Sequence, residues 1–291
     1  MSKDPKKKGP KPEFPQKEID IPGHESELTP RADHGEDSYK GSGKLTGKKA
    51  IITGGDSGIG RAVAIAYARE GADVAIGYLP VEEDDAKETQ RQIEQAGRKA
   101  VLVPGDLSKE AACKSLIQTV VQAFGQIDVL VLNAAHQKTY DKLTDIPSDD
   151  WDATFATNIH AMFYLSKAAY PHMKPGSSII TVSSIQAYQP SPNLLAYAST
   201  KGAIVNFTKG LGQMFIKDGI RVNSVAPGPV WTPLIPSTMP EEKAQKFGQD
   251  APMERPAQPR ELAPPFVWLA SDEASYINAS VISVTGGKPT M

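Results

Sequence analysis

Tyr197 and Lys201 stand four residues apart in LLAYASTKGA, one helical turn, so their side chains can share a face. A phenol beside an ammonium is a proton carrier: it acts as an acid toward a carbonyl oxygen and as a base toward an alcohol. Free tyrosine, with a pKa near ~10, is a poor base at neutral pH. Lowering that value by about three units takes roughly 4 kcal/mol. An ammonium about 4 Å away supplies roughly 4 kcal/mol at an effective dielectric near 20. Lys201 is thus expected to pull the Tyr197 hydroxyl down. Ser184, which closes the apolar run SIITVSS, is placed to hydrogen-bond an oxygen on which charge develops. Asn158 lies in ATNIHAMF on the preceding helical stretch. The Tyr/Lys pair is also common as core decoration, so its surroundings must decide.

Residues 53–60, TGGDSGIG, follow the apolar run AIIT and precede the amphipathic GRAVAIAYAREG. At such a strand-to-helix junction a dinucleotide pyrophosphate can approach unpaired amides at a helix N-terminus, and Cβ atoms would obstruct it. Gly54, Gly58 and Gly60 clear the way; the alternative is that they are ordinary turn glycines. Three more stretches fall at strand ends. Asp106, before Leu107, either accepts from an adenine amino group or caps the helix at SKEA. Asn133 in LNAAH is placed to tie strands together beside the ligand. PGPVWT is a stiff turn whose Thr232 can meet a carboxamide.

These motifs need a scaffold that gathers strand ends. Apolar runs at 50–53, 73–78, 100–106, 128–133, 178–184, 221–228 and 281–287 alternate with stretches of helical spacing such as KSLIQTVVQAFGQ. Unalternating β-rich runs suit parallel strands buried on both faces. The fold class is α/β: a Rossmann-like, doubly wound parallel sheet of about seven strands with helices on both faces, in one domain spanning 45–291. Residues 1–44 form a Pro-, Gly- and charge-rich arm, disordered or draped over the body. Its KKK cluster (Lys6, Lys7, Lys8) reads as a solvated tail or a nucleic-acid contact. Pro264 and Pro265 mean that the helix in QPRELAPPFVWLAS either starts near them or kinks.

Composition bounds the function. The chain has 291 residues, 32 Lys+Arg against 34 Asp+Glu, and a formal charge of -2, so nothing draws the whole molecule to nucleic acid. Cys113 alone permits no internal disulfide or cysteine metal cage. His136 has no partner at ligand spacing, so no metal is expected. No run approaches the roughly 20 apolar residues of a membrane span, and the cytoplasm is the expected compartment.

Taken together, the glycine motif, the Asn-Ala motif and Y-x-x-x-K with an upstream Ser resemble the short-chain dehydrogenase/reductase superfamily over nearly all of residues 44–287. GSGKLTGKKAIITGGDSGIGRAVA, PGPVWTPLIP, QKFG and the extended arm are similar to its N-terminally extended subgroup of glucose/ribitol dehydrogenase-like proteins. The resemblance implies NAD(P)-dependent hydride transfer between an alcohol and its carbonyl. Asn158, Ser184, Tyr197 and Lys201 would be catalytic, with Lys201 also holding the nicotinamide ribose and Asn158 anchoring a proton-relaying water. Gly54, Asp56, Ser57, Gly58, Ile59 and Gly60 would bind the cofactor. Tyr78, Asp106, Leu107, Asn133, Ala134 and Ala135 would join them, with Pro227, Gly228, Val230 and Thr232. The small-molecule substrate would be an alcohol, polyol, sugar or aldehyde, and the assembly a homotetramer through the 149–173 and Tyr197 helices. A cofactor-binding sensor or stress protein with little turnover is the alternative.

Two departures accompany the resemblance. Leu132 and Ala135 replace the outer members of N-N-A-G, which bears on the floor of the nicotinamide site, and Ala279 and Thr285 stand where Gly and Asp are usual. Gly77 and Tyr78 offer neither an acid for a ribose diol nor a base for a 2′-phosphate, while residues 82–85 are acidic, a balance that favours NAD. Arg61 and Arg98, the cations that could reverse it, are expected on helix surfaces. Residues 229–251 are expected to form a lid over a pocket of His136, Gln186, Tyr188 and Trp231.

Overall fold

The computed structural model describes residues 4–290; residues 1–3 of the arm, and residue 291, lie outside the description. Seven strands form one wholly parallel sheet in the order 3-2-1-4-5-6-7. They are β1 (Lys49–Thr53), β2 (Asp73–Tyr78), β3 (Ala100–Pro104), β4 (Ile127–Leu132), β5 (Met173–Val182), β6 (Arg221–Pro227) and β7 (Val281–Val284). Ile52 pairs with Ile76 on one side and Val131 on the other. The chain therefore turns from winding one way to winding the other between β1 and β4, the place where such sheets open a crevice at their carboxyl ends.

Helices α1 (Gly58–Arg69), α2 (Glu83–Gln95) and α3 (Glu110–Phe124) follow the first three strands. Next come α4 (Ser148–Phe155), α5 (Ala161–Ala169), α6 (Leu195–Phe215), α7 (Leu234–Thr238), α8 (Glu241–Gln245) and α9 (Ala263–Ala270). A π-helical turn, Ala156–His160, joins α4 to α5. One core packs α1, α2 and α9 against the sheet; a second packs α3, α5 and α6 against its other face. Pro264 and Pro265 sit in the first turn of α9, where a missing amide costs nothing, so the helix starts there and does not kink.

β5 begins at Met173, five residues before the apolar run that announces it. Lys174, Pro175 and Gly176 look like a break, yet the pairing of β4 with β5 merely slips between Ile127 and Val129 and absorbs them.

The arm is draped. It carries few apolar residues, but Phe14 and Leu28 are buried with Trp231, Ile235 and Ala244 in a separate small core. Backbone bonds from Phe14 to the Gln245 carbonyl (2.8 Å) and from Ile19 to that of Pro236 (3.3 Å) fasten it to α7 and α8. Arg255 reaches the Pro5 carbonyl (2.8 Å), and Arg69 those of Gly35 and Tyr39. Borrowed partners thus supply the ordering energy its own composition lacks.

Candidate active site

A cleft of about 800 Å³ opens at the carboxyl ends of the strands. The glycine loop forms one wall. Gly54 and Gly58 have φ of +61° and +50°, a conformation that disfavours any side chain. At Gly60 a Cβ would lie 1.8 Å from the Gly54 carbonyl oxygen, so only glycine lets α1 pack this close to β1. Asn133 ties the wall to β4, its Nδ2 donating to the carbonyls of Thr53 and Gly54, both at 3.0 Å. First-turn amides have no intrahelical acceptor. Those of Ile59 and Gly60 find none elsewhere among the described residues.

Gly54, Asp56, Ser57, Gly58 and Ile59 all line the cleft, with Tyr78, Asp106 and Leu107 at one end. Asn133, Ala134 and Ala135 form its middle, and Pro227, Gly228, Val230 and Thr232 the side near β6. Gly60 does not line it and acts through packing. Asp106 Oδ1 accepts from the Ser108 amide (3.0 Å) in the turn ahead of α3, whose N-cap is Lys109, so Asp106 is not the helix cap, and it borders the cleft. Leu132 is buried in the second core, so of the two departures in its motif only Ala135 borders the cleft.

At the other end Ser184, Tyr197 and Lys201 converge. The Lys201 Nζ donates to the Val182 carbonyl (2.9 Å) and lies 5.0 Å from the centre of the Tyr197 ring. Ser184 Oγ accepts from the Gln186 amide (3.1 Å), which leaves its proton free to donate. Burial pushes the Tyr197 hydroxyl up to about 12, only partly offset by the neighbouring Ser184 hydroxyl. The expected downward shift is not found, because withdrawing a phenolate from water dominates. Burial also holds Lys201 down at about 7, so the same dry environment weakens the ammonium.

Asn158 is fully buried outside the cleft lining, in the π-helical turn. Its Oδ1 accepts from the His136 amide (2.7 Å), and its Nδ2 donates to the His136 carbonyl (2.9 Å) and Thr200 Oγ1 (3.0 Å). Its side chain therefore clamps the strand end that carries His136 onto the Tyr197 helix.

Among the four expected pocket residues, His136 and Gln186 line the cleft; Tyr188 and Trp231 do not. Tyr188 lies off the lining on the short helical turn after Ser184. Trp231 is wholly buried under the arm, its ring 4.5 Å from that of Phe14 and its Nε1 donating to the Pro30 carbonyl (2.7 Å). The arm, which carries no catalytic motif, took it out of reach. Conversely, Ile21, Pro22 and Gly23 of the arm line the cleft. No local signal marked them.

Arg61 is also corrected: it is buried, donating to Asp85 Oδ1 (2.8 Å) and to the Asp56 carbonyl (2.7 Å). Arg98 lies not on a helix but between α2 and β3, partly exposed, and pairs with Asp73 (2.7 Å). Asp56 and Glu82 both border the cleft. Burial raises both, Asp56 to about 6 with repulsion from Asp85, and Glu82 to about 8 with repulsion from Asp56 and Asp85.

The family model described as enoyl-(acyl carrier protein) reductase matches residues 54–288. The chain belongs to the short-chain dehydrogenase/reductase superfamily. It is 52% identical over 282 residues to the oxidoreductase YhxD of Bacillus subtilis, covering 96% of this chain and 94% of that one. It is 46% identical over 278 residues to glucose and ribitol dehydrogenase of Daucus carota, covering 94% and 96%. A Burkholderia cenocepacia short-chain dehydrogenase solved with NADP superposes with a TM-score of 0.78 at 32% identity, over 84% of this chain and 98% of that one. A Brucella melitensis 3-ketoacyl-(acyl-carrier-protein) reductase complexed with NADH gives 0.76 at 31%, over 84% and 98%. This short-chain dehydrogenase/reductase is thus an NAD(P)-dependent oxidoreductase, and its glycine cradle, free amides and long cleft fit a nicotinamide dinucleotide. No helix among the described residues is long and apolar enough to cross a membrane.

Proposed function

We propose that the chain interconverts an alcohol or polyol and its carbonyl, prefers NAD, and uses Tyr197 as the proton carrier. The convergence of Ser184, Tyr197 and Lys201 at one end of the cleft carries this reading. When bound, the nicotinamide exchanges the hydride, and its oxidised ring adds positive charge beside the phenol. The Ile59 amide holds the pyrophosphate, Lys201 the ribose, and Thr232 the carboxamide. Ser184 donates its free proton to the substrate oxygen. Tyr197 gives that oxygen a proton in reduction and removes it in oxidation. As the phenol ionises, Lys201 gains reason to stay protonated, so the two buried groups titrate as a pair.

The preference for NAD rests on charge. Arg61 is committed to Asp85 and to the Asp56 carbonyl, so it is not free to pair with a 2′-phosphate, and the same end of the cleft carries the acidic residues Asp56 and Glu82. A polyol, sugar or small aldehyde suits the polar lining of His136, Gln186 and Asn193, and the carrot relative's name supports it. Residues 229–251 act as the lid; α7 borders the cleft and is held by Gln137 and Thr139 through Thr238. Exposed Phe163 on α5 and Met214 on α6 support a tetramer.

Separate titrations with NADH and NADPH, followed by a panel of polyols, sugars and aldehydes, test the reading. Tyr197→Phe is expected to lower turnover on the substrate found by at least about 100-fold while NADH still binds. Wild-type turnover in that variant would end it.

A further inference from the structure

We propose that Glu25, carried by the N-terminal arm, is a positioning residue for the phosphate-binding loop, so that the arm is a working part of the cofactor site. The proposal rests on the reading that the glycine loop holds a dinucleotide.

Glu25 is 4% exposed, and its Oε1 accepts the Gly58 amide at 2.7 Å. Asp56, Ser57, Gly58 and Ile59 line the cleft, but Glu25 does not. The carboxylate therefore reaches the loop from outside the cleft and leaves the Ile59 amide for an anion inside it. Position decides between support and competition here.

The same carboxylate is held in turn. His34 Nε2 lies 2.8 Å from Oε1, and its Nδ1 lies 2.9 Å from Glu36 Oε1. The Glu25 amide donates to Asp85 Oδ2 (3.1 Å), Asp85 Oδ1 accepts from Arg61 (2.8 Å), and Arg61 donates to the Asp56 carbonyl (2.7 Å). A ring of contacts thus grips the loop at both Asp56 and Gly58, on either side of Ser57. Fixing one residue's backbone costs about 1–2 kcal/mol, and Gly58 sits at a φ of +50° that glycine leaves readily. A charge-assisted bond at the N-terminal turn of α1 offsets that cost before any cofactor arrives.

Full-length parent, Glu25→Ala and Glu25→Gln would be titrated with NADH by fluorescence, and amide exchange followed at residues 55–60. Glu25→Ala is expected to weaken NADH binding roughly 10- to 100-fold, the worth of one hydrogen bond to a charged group. Its exchange should rise at 55–60 and not in β4 to β6. Glu25→Gln, which keeps an acceptor oxygen, should fall between the two. In the parent without NADH, the Gly58 amide should exchange slowly, a measurement that stands even where a variant does not fold. Affinity in Glu25→Ala within about twofold of the parent, tighter binding, or a fast-exchanging Gly58 amide in the parent overturns the proposal. A parent that binds neither NADH nor NADPH overturns the underlying reading first, and is recognised because it fails before any substitution is made.

Discussion

His34 shows how far one buried contact can displace a titration. It is 3% exposed; burial alone would lower it, but Glu25 and Glu36 hold it up at about 9, against opposition from Arg61. A histidine raised when folded stabilises the protein fully below its unfolded value near ~6.5, and loses that contribution as pH rises to about 9. Equilibrium unfolding of parent and His34→Gln should therefore differ by up to about 3 kcal/mol at pH 6 and converge above pH 9. Lys201, displaced in the opposite sense, is common to both proteins and cancels in the difference. Ala279 is a simpler case. Its φ of +55° is one that glycine accepts and alanine resists. Ala279→Gly should raise stability by about 0.5 kcal/mol in denaturant titration, the relief of strain less the added freedom of the unfolded chain.

At the scale of elements, the β1–loop–α1 unit depends on a close approach that only one residue permits. Gly60→Ala would drive a methyl onto the Gly54 carbonyl and to 2.8 Å from Asn133 Nδ2. It should cost about 3 kcal/mol and abolish NADH binding, both measurable on the purified variant. The glycine spacing was legible in the sequence because the pattern is a local one, set by a strand end and the first turn of a helix. The ends of β5 were not legible. A Lys-Pro-Gly segment reads locally as a break, and only the slip in pairing with β4 shows that the strand runs through it.

For the molecule as a whole, the arm changes what the α/β body presents. Phe14 is 3% exposed and packs at a tilt against Trp231 in the small core it shares with Ile235 of α7 and Ala244 of α8. Phe14→Ala should loosen this small core by up to about 3 kcal/mol. Limited proteolysis would then cut the arm before the body unfolds, because the arm has few other apolar anchors. Should the variant resist protease as the parent does, the arm is held mainly by its ionic and backbone contacts.

The sequence by itself determined the alternation of strands and helices, the glycine cradle, the one-turn spacing of Tyr197 and Lys201, and the strand-end placement of Ser184 and Asn133. Each follows from periodicity or spacing within a few residues. Only the tertiary structure decided that Trp231 faces the arm, that Arg61 is an internal cation, that the Asn158 side chain is a clamp, and that burial raises Tyr197 despite its lysine. It also brought Glu25 to Gly58, 33 positions along the chain. Contacts between distant segments, and the loss of water around buried charges, arise when the pieces pack, and no local pattern of residue types encodes them.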